Sequence, residues 1–163
     1  MIRDAHEADI EAITRICNHY IVHSTANFEE HPTSEADMLA LMRSIVADGC
    51  PYLVAVDDAS DAVMGYCYAH QWREKSAYRH TLETTIYLDP AATRQGLGTR
   101  LMQVLIDRCR VMGIHTLVAD ITDENEASLR MHERLGFTAV SHFTQVGLKF
   151  GRWLGDVDMQ LIL

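Results

Sequence analysis

The stretch from residue 81 to residue 112 constrains the fold of this chain more than any other part of it. Thr81–Leu88 is rich in β-branched residues and ends at Asp89-Pro90, so it predicts a strand. A helix is expected over residues 96–112, where apolar side chains recur every three or four positions and Gly113 follows. A strand that enters an amphipathic helix through a glycine-containing turn indicates an α/β architecture.

Hydrophobic periodicity divides the rest of the chain into further helices and strands. We expect helices over residues 7–22, from Ser34 onward and over residues 125–135, with Ser34 and Asp37 forming a capping box. Strands are expected at residues 1–5, 52–56, 63–70, 115–121, 138–146 and 157–161. The resulting order, β-α-α-β-β-β-α-β-α-β-β, predicts one domain over residues 1–163 with an α/β or α+β sheet of mixed polarity.

Length and charge narrow the classes of function. The 163 residues are enough for one well-buried core, and the formal net charge of −9 argues against nonspecific nucleic-acid binding, which needs a cationic surface. No apolar run reaches the roughly 18–20 residues that span a bilayer, and the first residues lack the apolar segment of a signal peptide. The four cysteines show no Cys-x-x-Cys spacing and are expected to be reduced. A cytoplasmic protein without a membrane partner is therefore expected.

A candidate anion site lies where the strand passes into the helix, in the segment Thr93-Arg94-Gln95-Gly96-Leu97-Gly98-Thr99. A helix N-terminus presents unpaired N–H groups and the positive end of the helix dipole, and glycines let a pyrophosphate approach the backbone closely. Arg94 and Arg100 are placed to add charge-assisted contacts. A P-loop would need a lysine after the glycines, and a dinucleotide fingerprint would need a small residue in place of Leu101. From the glycines alone, a plain strand-to-helix turn remains the alternative.

This turn resembles the pyrophosphate loop of the GNAT acyltransferase superfamily, which reads Arg/Gln-x-x-Gly-x-Gly/Ala after the fourth strand. The glycines match, while Thr93 stands where the superfamily has Arg or Gln. The segment from Asn125 to Gly136-Phe137 is similar to the superfamily's Asn-x-x-Ala…Gly-Phe helix. Because backbone amides do most of the binding in this loop, Thr93 is expected to weaken one side-chain contact and to leave the site in place.

A closer resemblance, to the phosphinothricin/methionine sulfone N-acetyltransferase family, covers nearly the whole chain. Its motifs lie in the same order and at matching intervals: Asn18-His19, Arg73, Ala77-Tyr78, Thr81-Leu82-Glu83, and segments 125–128, 132–137 and 147–153. Together these motifs are specific. The resemblance implies a GNAT-like, mostly antiparallel mixed sheet flanked by about four helices. It also implies acetyl-CoA as co-substrate, no metal, a small amino-acid substrate and a homodimer.

The resemblance further implies which residues bind the coenzyme. They come from the strand that starts at Thr81, from the glycine turn and from the start of the last helix: Ile86, Tyr87, Leu88, Arg94, Gln95, Gly96, Leu97, Gly98, Thr99, Asn125 and Ser128. Asparagine is also among the best helix N-caps, so Asn125 has an ordinary structural role as its alternative. The two roles are compatible, because a capping asparagine can also face a ligand.

Glu83 is the candidate general base. A period of two places Leu82, Thr84, Ile86 and Leu88 on one face of the strand and leaves Glu83 on the other. Only a free amine attacks a thioester, so acyl transfer needs a group that removes a proton from the ammonium form. A glutamate in a partly desolvated cleft has its pKa raised toward a useful value. The residues alone leave an exposed strand glutamate open, whereas the resemblance assigns Glu83 the base role.

His132 is a second candidate catalytic residue. Many GNAT enzymes carry at this place a tyrosine that protonates the departing thiolate, and a histidine can donate the same proton. A packed helix histidine is the alternative. His19 and His23 stand four residues apart, but no acidic residue accompanies them at metalloprotease spacing, so no metal site is expected.

The candidate substrate site combines cations and aromatic rings. Arg73, Lys75 and Tyr78 precede Glu83 in a polar segment, and Phe28 lies in the polar stretch between the first two helices. An arginine can hold an α-carboxylate with two bonds, and an aromatic wall beside it suits a small amino acid. A solvated loop is the alternative. Residues 149–153 are expected to connect the last two strands, and the resemblance favours dimer contact there.

The function we expect is direct transfer of an acetyl group from acetyl-CoA to the α-amino group of a small amino acid such as methionine sulfone, methionine sulfoximine or phosphinothricin. No cysteine is placed for a covalent acyl-enzyme. Two alternatives stay open. The first is a GNAT enzyme that acetylates a protein or peptide amine, and the second is a non-catalytic module that senses acyl-CoA.

Overall fold

A computed structural model of the chain describes residues 1–93 and 95–163. In this part of the chain the α-helices are α1, Ile10–His23; α2, Glu35–Ala47; α3, Leu97–Val111; and α4, Glu126–Arg134. The strands are β1, Ile2–Asp4; β2, Tyr52–Val56; β3, Val63–Gln71; β4, Thr81–Leu88; β5, Thr116–Thr122; β6, Thr138–Lys149; and β7, Arg152–Ile162. Across the described ranges, no helix combines the length and apolar character that crossing a membrane requires.

All seven strands belong to one sheet with the order β1-β2-β3-β4-β5-β7-β6. Neighbouring strands are antiparallel except β4 and β5, which are parallel and are joined through α3. The expected mixed, mostly antiparallel sheet flanked by about four helices is therefore confirmed.

The ends of the helices follow local capping rules. The Ser34 hydroxyl accepts the Asp37 N–H at 3.1 Å at the start of α2, which is one half of the predicted capping box. The Asp37 carboxylate accepts the Ser34 hydroxyl at 2.6 Å and not the Ser34 backbone N–H. Gly113 follows α3 with a positive φ of 78°, a left-handed conformation that glycine adopts without steric cost. These short-range signals explain why the helix positions could be predicted from the sequence.

The sheet buries a different set of side chains on each face. On one face α3 contributes Leu101 and Leu105 to a core that also contains Leu82, with Ile86 packed against it. On the other face α1 and α2 cover the first strands, and Tyr87 packs against that second core. The predicted alternation along β4 is confirmed, because consecutive residues of this strand enter opposite cores.

The last two strands are longer than expected. Residues 147–156 were expected to lie outside strands, but Gly147 pairs with Leu154 and Lys149 pairs with Arg152. The register shifts between Phe143 and Gly147, where Gln145 has a positive φ of 55°. Such an irregularity interrupts the period-two pattern that a sequence analysis follows, so the predicted strand stopped at the irregularity.

Candidate active site

A cleft opens where β4 and β5 separate. The parallel pairing between them covers Thr81–Thr116, Leu82–Leu117 and Glu83–Val118 and ends there. A cavity of about 590 Å³ follows, walled by most of β4, the second half of β5, the N-terminal part of α3 and residues along the length of α4. The cavity therefore joins the predicted base to the predicted anion turn.

The turn before α3 forms one end of this cleft. Gly96 caps α3 in the left-handed conformation, with φ of 70°, and Gly98 is buried in the first helical turn. A Cβ atom on Gly98 would lie 3.1 Å from Met131 Sδ and 3.3 Å from Leu88 Cδ1. A glycine here keeps the space between β4, α3 and α4 open, so this part of the cleft fits a chain that passes close to the backbone.

The other predicted residues of the turn divide into two groups. Gly96, Leu97, Gly98 and Thr99 line the cavity, together with Thr93. Gln95 is exposed and is absent from the cavity walls among the described residues. Arg94, also a predicted coenzyme residue, lies outside the described residues.

The N-terminus of α4 supplies a second wall. The Asn125 side chain accepts the Ser128 N–H at 3.2 Å, so Asn125 is an N-cap, and both residues line the cavity. Ile86, Tyr87 and Leu88 line it from β4. The structure thus brings together all the predicted coenzyme residues that it describes, apart from Gln95.

Glu83 lies at the opposite end of the cavity from the glycine turn, at the last residue pair of the β4–β5 ladder. Burial raises the pKa of its carboxyl above the ordinary glutamate range. His70, which is paired with Glu83 on β3, lowers this pKa, whereas Asp120 and Asp158 raise it further. A carboxyl with a raised pKa is suited to accepting a proton near neutral pH.

Three aspartates beside Glu83 were missed by the sequence analysis. Asp120 lies opposite Asp158 in the β5–β7 ladder, and with Asp156 they place carboxylate oxygens within 4.8 Å of one another. Burial, a hydrogen bond to Asp120 and repulsion from its neighbours raise the pKa of Asp156 to about 8. Asp156 and Asp158 are two residues apart, a spacing that places both side chains on one face of a strand. The predicted strand began only at Val157 and left Asp156 out, so this signal was missed.

The histidine at the far side of the cleft is held in one tautomer. His132 is 2% exposed, and its Nδ1 lies 2.9 Å from the Ser128 carbonyl oxygen, so Nδ1 carries the proton and donates. Nε2 is then a lone-pair acceptor and has no partner among the described residues. Burial lowers the pKa of the imidazole. In this neutral form Nε2 has no proton for a thiolate, and the edge-on contact with Phe137 fits the packing alternative.

The predicted substrate residues lie in two places. The Arg73 guanidinium is 4.1 Å from the Trp72 ring centre and 5.7 Å from that of Tyr78, so these side chains stack in the segment that leads into β4. Phe28 lies against Gly147 of β6. None of Arg73, Lys75, Tyr78 and Phe28 is among the described residues that line the cavity.

Comparison with known proteins places this architecture in a family. Residues 13–137 match the model of the Acetyltransferase (GNAT) family, and the chain belongs to that family. The chain is 40% identical to the L-methionine sulfoximine/L-methionine sulfone acetyltransferase of Salmonella typhimurium, over 99% of this chain and 94% of that one. It is 41% identical to the phosphinothricin N-acetyltransferase of Alcaligenes faecalis, over 98% of this chain and 80% of that one.

A solved structure supports the same assignment. The phosphinothricin acetyltransferase of Sinorhizobium meliloti, in complex with acetyl-CoA, superimposes with a TM-score of 0.97 at 38% identity. The match covers all of this chain and 88% of that one. The family resemblance inferred from the sequence motifs is thereby confirmed.

Proposed function

We propose that this chain transfers an acetyl group from acetyl-CoA to the α-amino group of a small amino acid. One observation carries the proposal: a single cleft contains both the glycine turn of α3 and the partly buried carboxyl of Glu83. Relatives at about 40% identity over nearly the whole chain bear the names of methionine sulfoximine, methionine sulfone and phosphinothricin acetyltransferases. Those names support this class of substrate.

Different parts of the cleft have different roles in the proposed reaction. When bound, acetyl-CoA supplies an activated acetyl thioester. The backbone N–H groups of residues 96–99 and the dipole of α3 bind its diphosphate, and the open edge of β4 at Ile86–Leu88 binds its extended arm. Glu83 takes the proton from the ammonium group of the acceptor, directly or through a water molecule, so that a free amine faces the thioester. Burial of Glu83 favours this step because it raises the affinity of the carboxylate for a proton.

The proposed contact for the acceptor's carboxylate is Arg73. This residue lies in the segment joining β3 to β4, at the end of β4 that carries Glu83, and Trp72 and Tyr78 hold its guanidinium in a stack. A guanidinium stacked on aromatic rings keeps its N–H edge free for bidentate binding of a carboxylate. The contact requires Arg73 to reach the cavity from its present position beside Trp72.

The proposal includes a homodimer. The β6–β7 hairpin exposes a set of large apolar side chains, each more than half exposed, namely Phe143, Val146, Leu148, Phe150 and Trp153. Apolar patches of this kind mark interaction sites, and a second copy of the chain is the proposed partner. The cytoplasm is the proposed compartment, and it agrees with four free cysteines.

A thiol-release assay tests the function. We expect release of coenzyme A with free methionine sulfone, methionine sulfoximine or phosphinothricin, and much slower release with the corresponding amides. In Glu83→Gln, kcat should fall on the order of 10²–10⁴-fold near neutral pH. The deficit should shrink as the pH approaches the pKa of the acceptor amine, because free amine then forms without a base.

Other results would favour the alternatives. Equal rates with acids and amides would point to a protein or peptide amine as the acceptor. Tight acetyl-CoA binding without release of coenzyme A in the presence of any amine would point to an acyl-CoA sensor. A stable Glu83→Gln variant whose pH profile runs parallel to that of the wild type would remove Glu83 from the mechanism.

A further inference from the structure

The loop of residues 24–33, which joins α1 to α2, forms part of the cleft. Ala26 in this loop lines the cavity, and its carbonyl oxygen accepts the Tyr87 hydroxyl at 3.3 Å. Tyr87 itself lies on the cavity wall in β4. The position of the loop therefore sets the shape of the cleft on the side that α1 faces.

A buried lysine from the other end of the sheet holds this loop. Lys149, the last residue of β6, is 3% exposed. Its Nζ donates to the Ser24 carbonyl oxygen at 2.8 Å and also to the Asn27 carbonyl oxygen. These two carbonyls flank Ala26. A buried ammonium group is costly unless it is hydrogen-bonded, so the loop conformation and the position of Lys149 depend on each other.

The same hairpin makes one further direct contact with the loop and one that passes through Glu124. A Cβ on Gly147 would lie 2.6 Å from Phe28 Cε2, so the Phe28 ring rests directly on the backbone of β6. Arg152 donates to both carboxylate oxygens of Glu124, at 2.7 and 3.0 Å, and one of these oxygens also accepts the Thr25 hydroxyl at 3.2 Å. Each contact ties the loop to the β6–β7 hairpin.

We propose that Lys149 is a positioning residue for the acceptor side of the cleft. By holding the carbonyls of Ser24 and Asn27, it preforms the wall that carries Ala26 and the loop that carries Phe28, so the acceptor amino acid binds without first ordering the loop. Lys149 is not among the described residues that line the cavity, and it therefore has no contact with the diphosphate end at Gly96–Thr99. The inference rests on the proposed acetyl transfer to a small amino acid.

Steady-state kinetics of the full chain test this role. In Lys149→Met, which keeps the apolar stem and removes the donors, we expect the KM for the amino acid to rise at least tenfold. The KM for acetyl-CoA and the kcat at saturating acceptor should stay within about threefold, since neither the turn nor Glu83 is touched. Lys149→Arg should restore part of the acceptor affinity, because it returns charged donors. Arg43→Met, which removes an exposed cation on α2, serves as the control and should change nothing.

Hydrogen–deuterium exchange tests the same contact without activity. The Ala26 and Glu29 amides bond to side chains inside the loop, at 3.0 and 2.8 Å, and should exchange faster in Lys149→Met than in the wild type. Unchanged exchange in a folded Lys149→Met would overturn the claim that Lys149 holds the loop. Faster exchange with an unchanged acceptor KM would overturn its role in acceptor binding. If Lys149→Met fails to fold, the comparison is made with Lys149→Arg and Lys149→Gln.

The two proposals fail in distinguishable ways. A wild-type protein that releases no thiol with any amino acid would refute the proposed function, and the exchange experiment would still decide whether Lys149 fixes the loop. An active wild type with equal acceptor KM in wild type and Lys149→Met would refute only the positioning role.

Discussion

The carboxylate cluster of Asp120, Asp156 and Asp158 predicts an unusual pH dependence of stability. Burial and two neighbouring carboxylates raise the pKa of Asp156 to about 8, well above its value in an unfolded chain. Between about pH 4 and pH 8 the native protein therefore holds one more proton than the unfolded chain at this residue. This contribution to stability is complete at low pH and is lost as the pH rises through that window.

The spacing of the carboxylates sets the repulsive part of the effect. Two unit charges 4.8 Å apart repel by about 1 kcal/mol at the dielectric constant of water and about 3.5 kcal/mol at an effective value of 20. Asp120 is exposed and Asp156 and Asp158 are only partly buried, so solvent screening places the effect near the lower figure. Repulsion therefore contributes about 1 kcal/mol, and the burial of Asp156, which is the largest cause of its raised pKa, adds to it. Asp156→Asn should raise the free energy of unfolding by at least about 1 kcal/mol at pH 8 and above.

Urea denaturation at several pH values, followed by circular dichroism, measures this gain. The gain of Asp156→Asn over the wild type should grow steadily from about pH 5 to about pH 8. Asp48→Asn, at an exposed site just after α2, is the matched control, and any effect there should be constant over the same range. If the curves of Asp156→Asn and the wild type run parallel over this range, Asp156 ionises normally and the reasoning is refuted.

Two further predictions concern the coenzyme end of the cleft and the hairpin surface. Gly98→Val should raise the Kd for acetyl-CoA at least tenfold by calorimetry while crowding Met131 at a cost of about 1–3 kcal/mol of stability, and unchanged affinity in the folded variant would contradict the assignment of the turn. The wild type should sediment as a dimer and Trp153→Ser as a weaker dimer or a monomer. A monomeric wild type at micromolar concentration would remove the homodimer proposal.

Much of the fold could be predicted because its signals are local. The N-cap at Ser34, the stop at Gly113 and the alternation along β4 each depend on residues only a few positions apart. The glycine turn could be placed at the start of a helix for the same reason. Its match to a family loop then identified the ligand class, which the two glycines alone left open.

The rest of the site depends on contacts between distant parts of the chain. Lys149 and Ser24 are 125 positions apart, and Asp120 meets Asp156 and Asp158 only through the register of β5 and β7. The tautomer of His132 follows from one backbone carbonyl inside α4. Neither propensity nor spacing encodes such contacts, so the acidic cluster and the role of Lys149 became visible only in three dimensions.

The short parallel ladder between β4 and β5 also affects where the sheet can open locally. Among the described residues, the β4–β5 ladder that joins the β1–β4 half of the sheet to the β5–β7 half has three residue pairs and ends at Glu83–Val118. Within each half, neighbouring strands are paired antiparallel. Slow local opening of the sheet should therefore occur more often at the β4–β5 ladder than within either half. A ligand that bridges the two strands beyond Glu83 would hold them at a fixed separation. It would reduce this local opening and raise the melting temperature of the protein.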